Sequence, residues 1–316
     1  MKPVTITKMC QLKADTLTVN GHEEPFDFKD LVADPALRRR MSRIVKMGVA
    51  CGLKCIEGLA PESIDAIITA TGFGCLADTE KFIESIVANN ERLLNPTPFI
   101  QSTFNTIGGQ IALLRGIHSY NVTYAHRGLS FESALIDAAM QVNEGKKNVL
   151  LGAIDEITAS SADIQRRLGM TREYELGEGA YFFVLNADAP INGQPVVFDI
   201  DTRSGKQTED NLVEWIVEMA KRNGINTSNL DIVANCSAAT ANSIANRLSL
   251  KKKPLQFKTC DYPTLSARAL DFAINNSTAY NTLIISDYQH INHSLILLRR
   301  IYDIFGWLET NQFTDR

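Results

Sequence analysis

The stretch "YAHRGLSFESAL" (residues 124–135) carries the chain out of a β-rich run, "YNVTYA" (120–125), and into a helical one, "FESALIDAAMQVNEG" (131–145), which stops at Gly145. A short apolar run, "KNVLLGAI" (147–154), follows and reads as a buried strand. Strand, turn, helix and strand in this order are the unit of an α/β fold. Such turns are where many enzymes hold a nucleophile, yet this one contains no cysteine. Its hydroxyls, Ser130 and Ser133, lack a G-x-S-x-G elbow and read as helix-start residues that satisfy unpaired N–H groups, Ser130 as the N-cap.

The alternation extends in both directions. "PALRRRMSRIVKMGVACGLKCIEGL" (35–59) reads as one long helix capped by Asp34 and Pro35. "DAIITATGFG" (65–74) is a strand with a glycine turn, and "DTEKFIESIVANN" (78–90) a helix with Asp78 or Thr79 placed to cap it. "FNTIGGQIALLRGI" (104–117) is a further helix, and "EGAYFFVLNA" (178–187) a long strand. After a polar stretch, "DTRSGKQTED" (201–210), helices are expected at 211–224, near 239–249 and near 265–275. Strands are expected at 230–235, 255–259, 281–287 and 294–300. The simplest architecture is two similar βαβαβ halves, residues 1–195 and 196–316, breaking near 190–205 and packed as one compact layered α/β unit.

With 316 residues, 45% of them hydrophobic and 22% charged, the chain is long enough to bury a large core. A net charge of −4 argues against a nucleic-acid or anionic-membrane surface as the main partner. The basic clusters "RRRMSR" (38–43) and "KKK" (251–253) read as solvated faces, on which an acidic carrier protein could also dock. Six cysteines (10, 51, 55, 75, 236 and 260) lack paired spacing and read as buried thiols in a reducing compartment. The start lacks a signal-segment pattern and no apolar run approaches ~18 residues, so no membrane span and a cytoplasmic location are expected.

Five segments taken in order resemble the β-ketoacyl-acyl-carrier-protein synthases of the thiolase fold. They are "RRRMSRIVKMGVA", "ATGFGCLADTEKF" (70–82), "GGQIALLRGIHSYNVTYA", "KNVLLGAIDEIT" and "LGEGAYFFVLNA" (176–187), the last similar to the family's G-E-G-A turn. The resemblance implies a cysteine at a helix N-terminus, where the peptide dipoles lower its pKa, and two histidines from the second half that assist decarboxylation and condensation. Laid on this chain it puts Gly128 at the nucleophile, Cys236 of "VANCSAAT" (233–240) at the first histidine and Pro263 of "KTCDYP" (258–263) at the second, with Lys258 retained. The family's late glycine loop falls on "DYQHINH" (287–293), which keeps Tyr288 and Asn292 but no glycine.

The resemblance without its catalytic set implies a ketosynthase-like subunit of a type II fatty-acid or polyketide-type pathway, similar to chain-length factors. Such a subunit is expected to be non-catalytic, to shape the acyl tunnel, to pair with an active 3-oxoacyl-ACP synthase or otherwise homodimerise through "YNVTYA", and to receive an acyl carrier protein. One alternative is an active synthase or acyltransferase whose thiol has moved to Cys236 or Cys260, assisted by His126 or Lys258; another is an acyl-chain binding module. His126, Arg127, Ser130, Tyr288 and Asn292 are the expected pocket residues, with Arg127 alternatively paired to Glu132 or Glu178. Gly177, Glu178 and Gly179 are read as a structural turn. His290, His293 and Asp287 are too few for a metal site, and no metal or cofactor is expected.

Overall fold

The computed structural model describes residues 2–13, 15–171, 174–191, 193–257 and 260–302. The chain opens with β1 (Val4–Lys13) and a small hairpin, β2 (Thr16–Val19) and β3 (His22–Glu24), followed by the short helices α1 (Phe28–Leu31) and α2 (Pro35–Arg40). Next come α3 (Arg43–Cys55), β4 (Ile64–Ala70), α4 (Leu76–Ala88), α5 (Pro96–Gln101), α6 (Thr106–Arg115), β5 (Tyr120–Tyr124), α7 (Ser130–Asn143) and β6 (Asn148–Asp155). α8 (Ala159–Arg167), β7 (Glu175–Leu176) and β8 (Gly179–Asn186) follow. The remainder is β9 (Pro195–Ser204), α9 (Glu209–Arg222), β10 (Asp231–Asn235), α10 (Ala238–Arg247), β11 (Leu255–Gln256), β12 (Cys260–Asp261), α11 (Leu265–Asn276), β13 (Asn281–Tyr288) and β14 (Asn292–Arg300).

Ten strands lie side by side in the order β11-β10-β13-β14-β9-β1-β8-β6-β4-β5. β4 runs parallel to β5 and β6, β8 is antiparallel to β6, and β1 antiparallel to β8. β10 runs parallel to β11 and β13, β14 is antiparallel to β13, and β9 antiparallel to β14. The same order and the same directions therefore occur twice, and the two sets join where β1 meets β9 at Val4↔Val197 and Thr5↔Val196. The expectation of two similar halves in one layered α/β body holds. We propose that the halves divide at 195/196, which the start of β9 at Pro195 supports.

Strand alternation sorts the core into three layers. Odd residues of β6 and β8 (Val149, Leu151, Phe183, Leu185) join Val233, Ile284 and Ile296 around the buried faces of α7 and α11. Even residues (Leu150, Phe182, Val184) pack under α3 and α6, while Ile232, Ala234, Ile285 and Leu295 pack under α9 and α10. The central layer thus brings the N-termini of α7 and α11 to the same end of the molecule, where the site lies.

Local expectations are revised at several points. The helix expected over 35–59 is broken at Met41, whose extended backbone buries its side chain, and Asp34 caps only the first piece, accepting from Ala36 N at 2.8 Å. α4 starts at Leu76 with Cys75 as cap, leaving Asp78 inside the first turn. Residues 201–204, read as polar connection, are the end of β9; Asp201 there accepts from Trp215 Nε1 at 2.9 Å and pairs with Arg222 at 2.9 Å. Among the described residues no helix is long and apolar enough to cross a membrane.

Asp271 of α11 lies 7% exposed in the central layer, and burial raises its carboxyl to about 6, against weaker opposing effects of Asn275 and Arg268. A carboxyl bound more tightly to its proton in the folded than in the unfolded chain stabilises below the unfolded value, and that stability is lost as pH rises from about 4 through about 6. Asp271→Asn is therefore expected to flatten the loss of unfolding free energy between these pH values and to raise it at pH ~8 by about 2–3 kcal/mol. Urea unfolding at both ends of the range measures this, and an unchanged pH slope contradicts it.

Candidate active-site cleft

Asp155, at the end of β6, is the fixed point of the site. Its Oδ1 accepts from Thr71 Oγ1 (2.9 Å), Gly72 N (2.8 Å) and Phe73 N (3.4 Å), in the turn after β4. Its Oδ2 accepts from Thr264 N (3.1 Å) and Thr264 Oγ1 (2.8 Å), at the start of α11. Burial raises the carboxyl, opposed by the bonds from Thr264 and Gly72 that favour its charged form. The Pro263 ring is held directly against Gly72, where any β-carbon would collide with it.

Beside this clamp, Gly128, Pro263, Tyr288 and Asn292 line one cleft, together with Glu132, Asn235 and Ser266. The structure thus brings together four positions from three separate segments. The cleft spans ≈ 220 Å³ with its mouth included, but only about one water molecule fits inside. The reason is the Tyr288 ring. A β-carbon on Gly128 would sit 2.8 Å from Tyr288 Cγ and 2.9 Å from its Cβ, so the ring occupies the space a side chain at 128 would need.

The cleft wall is polar. Glu132, 1% exposed, accepts from Ser294 Oγ at 2.6 Å, and burial raises its carboxyl against that bond. Asn235 donates to Ser286 Oγ at 3.4 Å, and its Oδ1 is buried without a partner. Among the described residues neither Cys nor His lines this cleft. Glu132, Asn235 and Ser266 are among the lining residues that were not candidates from the sequence. Strand parity contained the signal for Asn235: Ile232 and Ala234 face α9 and α10, so Val233 and Asn235 face the cleft side.

Other candidates lie elsewhere. His126 and Arg127 are exposed at the turn, with Arg127 at φ 50°, and neither lines the cleft. The carboxylates considered for Arg127 are engaged otherwise, Glu132 with Ser294 and Glu178 with Arg43. Ser130 is the first residue of α7 rather than its cap: its hydroxyl donates to Arg127 O (2.7 Å) and accepts from His126 N (2.8 Å), tying the turn to itself. Cys236 lies on the opposite face of the sheet, in a separate cavity. Cys260 accepts from Arg268 Nη1 at 3.2 Å and packs on Gly177. Lys258 lies outside the described residues.

The turn 177–179 is tight through contact rather than through backbone twist. Neither Gly177 nor Gly179 has positive φ, and a side chain on either would meet Tyr262, Cys260 or Tyr181. Glu178 accepts from Ile157 N at 3.1 Å and pairs with Arg43. His290 Nδ1 lies 2.7 Å from Asp287 Oδ2, and among the described residues no group of three or more His, Cys, Asp or Glu is arranged to hold a metal.

Comparison with known proteins agrees with this geometry. Residues 14–161 match the family described as Beta-ketoacyl synthase, N-terminal domain. That match spans a little under half of the chain, within its first half, and is a similarity to that family. No curated protein sequence matches it significantly. Among solved structures it is similar to the ishigamide ketosynthase/chain length factor (14% identity, TM-score 0.74), covering 95% of this chain and 100% of that one. It is likewise similar to a beta-ketoacyl synthase from Burkholderia phymatum STM815 (11%, 0.72, covering 95% and 100%). A third likeness is to AntDE:AntF, a type II PKS acyl-carrier protein in complex with its ketosynthase bound to the hexaketide (14%, 0.70, covering 95% and 100%). At these identities the structural likeness establishes the thiolase-like fold.

Gly128→Ala is expected to destabilise the chain by about 1–3 kcal/mol, because the added methyl must displace the Tyr288 ring. In a Tyr288→Ala background the same substitution should cost far less, and a double-mutant cycle on urea midpoints reads the difference. Additive costs would contradict the steric account.

Proposed function

We propose that this chain is a ketosynthase-like subunit of a type II fatty-acid or polyketide-type pathway that performs no condensation at the inherited site. In this reading it pairs with an active 3-oxoacyl-ACP synthase, supplies part of the acyl tunnel wall and is visited by an acyl carrier protein in a cytoplasmic pathway. The observation that carries the reading is the Tyr288 ring over Gly128: the nucleophile's side-chain space is filled. Pro263, at the second histidine's position, has no side-chain donor and no N–H. Without a thiol and an imidazole in the cleft, neither thioester capture nor stabilisation of a decarboxylating malonyl group has a side chain to perform it.

The paired arrangement is supported by the sheet edge. β5 ends the row of strands, and an open edge is normally blunted, covered or continued by another chain. Tyr120 on β5 is exposed, as are Ile83 and Val87 on α4, Phe99 and Ile100 on α5, and Phe104 in the turn before α6. Two of the similar structures are a ketosynthase/chain length factor and a ketosynthase in complex with its acyl-carrier protein.

Coexpression with the pathway's active ketosynthase is expected to give a single complex in size exclusion, one that condenses acyl and malonyl carrier proteins. The chain alone should form no condensation product, and Tyr120→Glu should split the complex. Condensation by the isolated chain would overturn the proposal.

A further inference from the structure

On the face of the sheet opposite the cleft lies a second cavity, spanning ≈ 470 Å³ with its mouth included. Its wall is formed where two helices begin: Thr208, the N-cap of the fourteen-residue α9, Glu209 and Leu212 of the same helix, and Thr240 of the ten-residue α10. Its floor comes from the strands, with Ile285 and Asp287 of β13 and with His293 of β14, the partner of Asp287 across the ladder. Alternation turns these side chains toward α9 and α10, as it does Ala234 and Leu295. Strand ends beneath helix starts are where α/β sheets hold their ligands.

Three observations define what this cavity can hold. First, His293 is 6% exposed, and its Nε2 is buried without a hydrogen-bond partner. Its Nδ1 lies 3.6 Å from Asp287 Oδ1, and a lone pair at Nδ1 would face that carboxylate. The ring proton therefore sits on Nδ1, and Nε2 is an acceptor that a ligand's donor satisfies. Second, the charges leave no place for an ion. Among the described residues neither Lys nor Arg lines the cavity, so an anion would meet Asp287 and Glu209 with no counter-charge. A cation would meet the positive ends of two helices, and both carboxylates are already engaged: Asp287 with His290 N at 2.9 Å and Glu209 with Ser243 Oγ at 2.6 Å. Third, the rest of the lining is mixed, with the hydroxyls of Thr208 and Thr240 beside the apolar Leu212 and Ile285. A ligand hydroxyl both donates and accepts, which suits the polar side, and the CH face of a saturated ring suits the apolar side.

We propose that this cavity is a binding site for a small neutral polyol, the size of one monosaccharide ring, held without covalent change. One ligand hydroxyl donates to His293 Nε2 and supplies the partner that this buried nitrogen lacks. Its neighbours bond the hydroxyls at the two helix starts, Thr208 and Thr240, while the ring's CH face lies against Leu212 and Ile285. A free sugar and a sugar carried on a larger molecule share this chemistry. The sheet separates the site from the cleft at Gly128, and binding here needs neither a second chain nor a reacting group in that cleft. The proposal therefore stands apart from the subunit reading.

The test is titration of the chain, near neutral pH, with D-glucose, D-ribose and myo-inositol. The chain has five histidines, so each imidazole can be followed by its own nitrogen resonances. At least one of the three polyols is expected to move the His293 Nε2 resonance saturably. The charged counterparts D-glucuronate and D-glucosamine should bind more weakly than D-glucose. Ligand-observed saturation-transfer measurements then compare variants: His293→Gln and Thr240→Val should each weaken binding, the first by roughly tenfold, and His126→Gln, on the exposed turn at 126–127, should leave it unchanged. Binding of D-glucose but not of methyl glucoside identifies a free sugar as the ligand, and binding of both identifies an attached one; either supports the site. No saturable shift of His293 with any of the three polyols, tighter binding of either charged sugar, or an affinity unchanged in Thr240→Val and His293→Gln overturns it. Circular dichroism and thermal melting of each variant separate loss of fold from loss of the site, and Thr240→Val decides the matter where His293→Gln does not fold.

Discussion

A single buried carboxylate holds the two halves of this chain in register at the site. Asp155 takes five hydrogen bonds, three from the turn that ends β4 and two from the residue that starts α11. Burying a charge costs several kcal/mol, and the arrangement persists only because these donors offset that cost. Each donor is equally dependent on the acceptor, since a buried N–H without a partner costs about 1–3 kcal/mol. The turn at 71–73 and the Pro263–Thr264 step are therefore placed together or not at all. Pro263 rests on Gly72 for the same reason, and the cleft wall is built on both.

From that anchor the strand ends serve two faces at once. Asn235, Ser286 and Ser294 point toward α7 and α11, where Ser294 meets Glu132. Cys236, Asp287 and His293 point the other way, under the N-termini of α9 and α10. Since side chains alternate along a strand, no local adjustment transfers a residue between the two; only a one-residue slip of register does. The cleft at Gly128 and the cavity lined by Cys236 are thus separate by construction, though their residues are neighbours in sequence.

This parity marks the limit of what the linear sequence made readable. The helix–strand alternation, the turn at 124–135 and the convergence of residues 128, 263, 288 and 292 were all legible, because helical and β periodicities and glycine turns leave local patterns. The pairing of Cys236 with the lost first histidine was a matter of matching letters. It missed that Asn235, one residue earlier, is the side chain facing the cleft. β1 escaped notice because threonine and lysine interrupt its apolar pattern, although Val4, Ile6, Met9, Cys10 and Leu12 are buried. The end of β9 looked like a linker because its charges are visible and their long-range partners, Trp215 and Arg222, are not. Ser130 was mistaken for a cap because its true bonds, to residues 126 and 127, run backward into a turn of left-handed backbone.

Tyr288 closes the cleft by packing rather than by any bond. A catalytic cleft requires hydrated space and polar groups held ready for substrate, both of which work against close packing and often cost stability. Once residue 128 carries no side chain, the space above it is a void, and filling a void with an aromatic ring recovers contacts that a cavity forfeits. The ring comes from the hairpin between β13 and β14, at the position where the resembling family keeps a glycine loop. Glycine loss and ring insertion are then linked: a side chain at 128 excludes the ring, and the ring excludes a side chain at 128. The sizes of residues 128 and 288 are thereby coupled, and neither can grow without the other giving way.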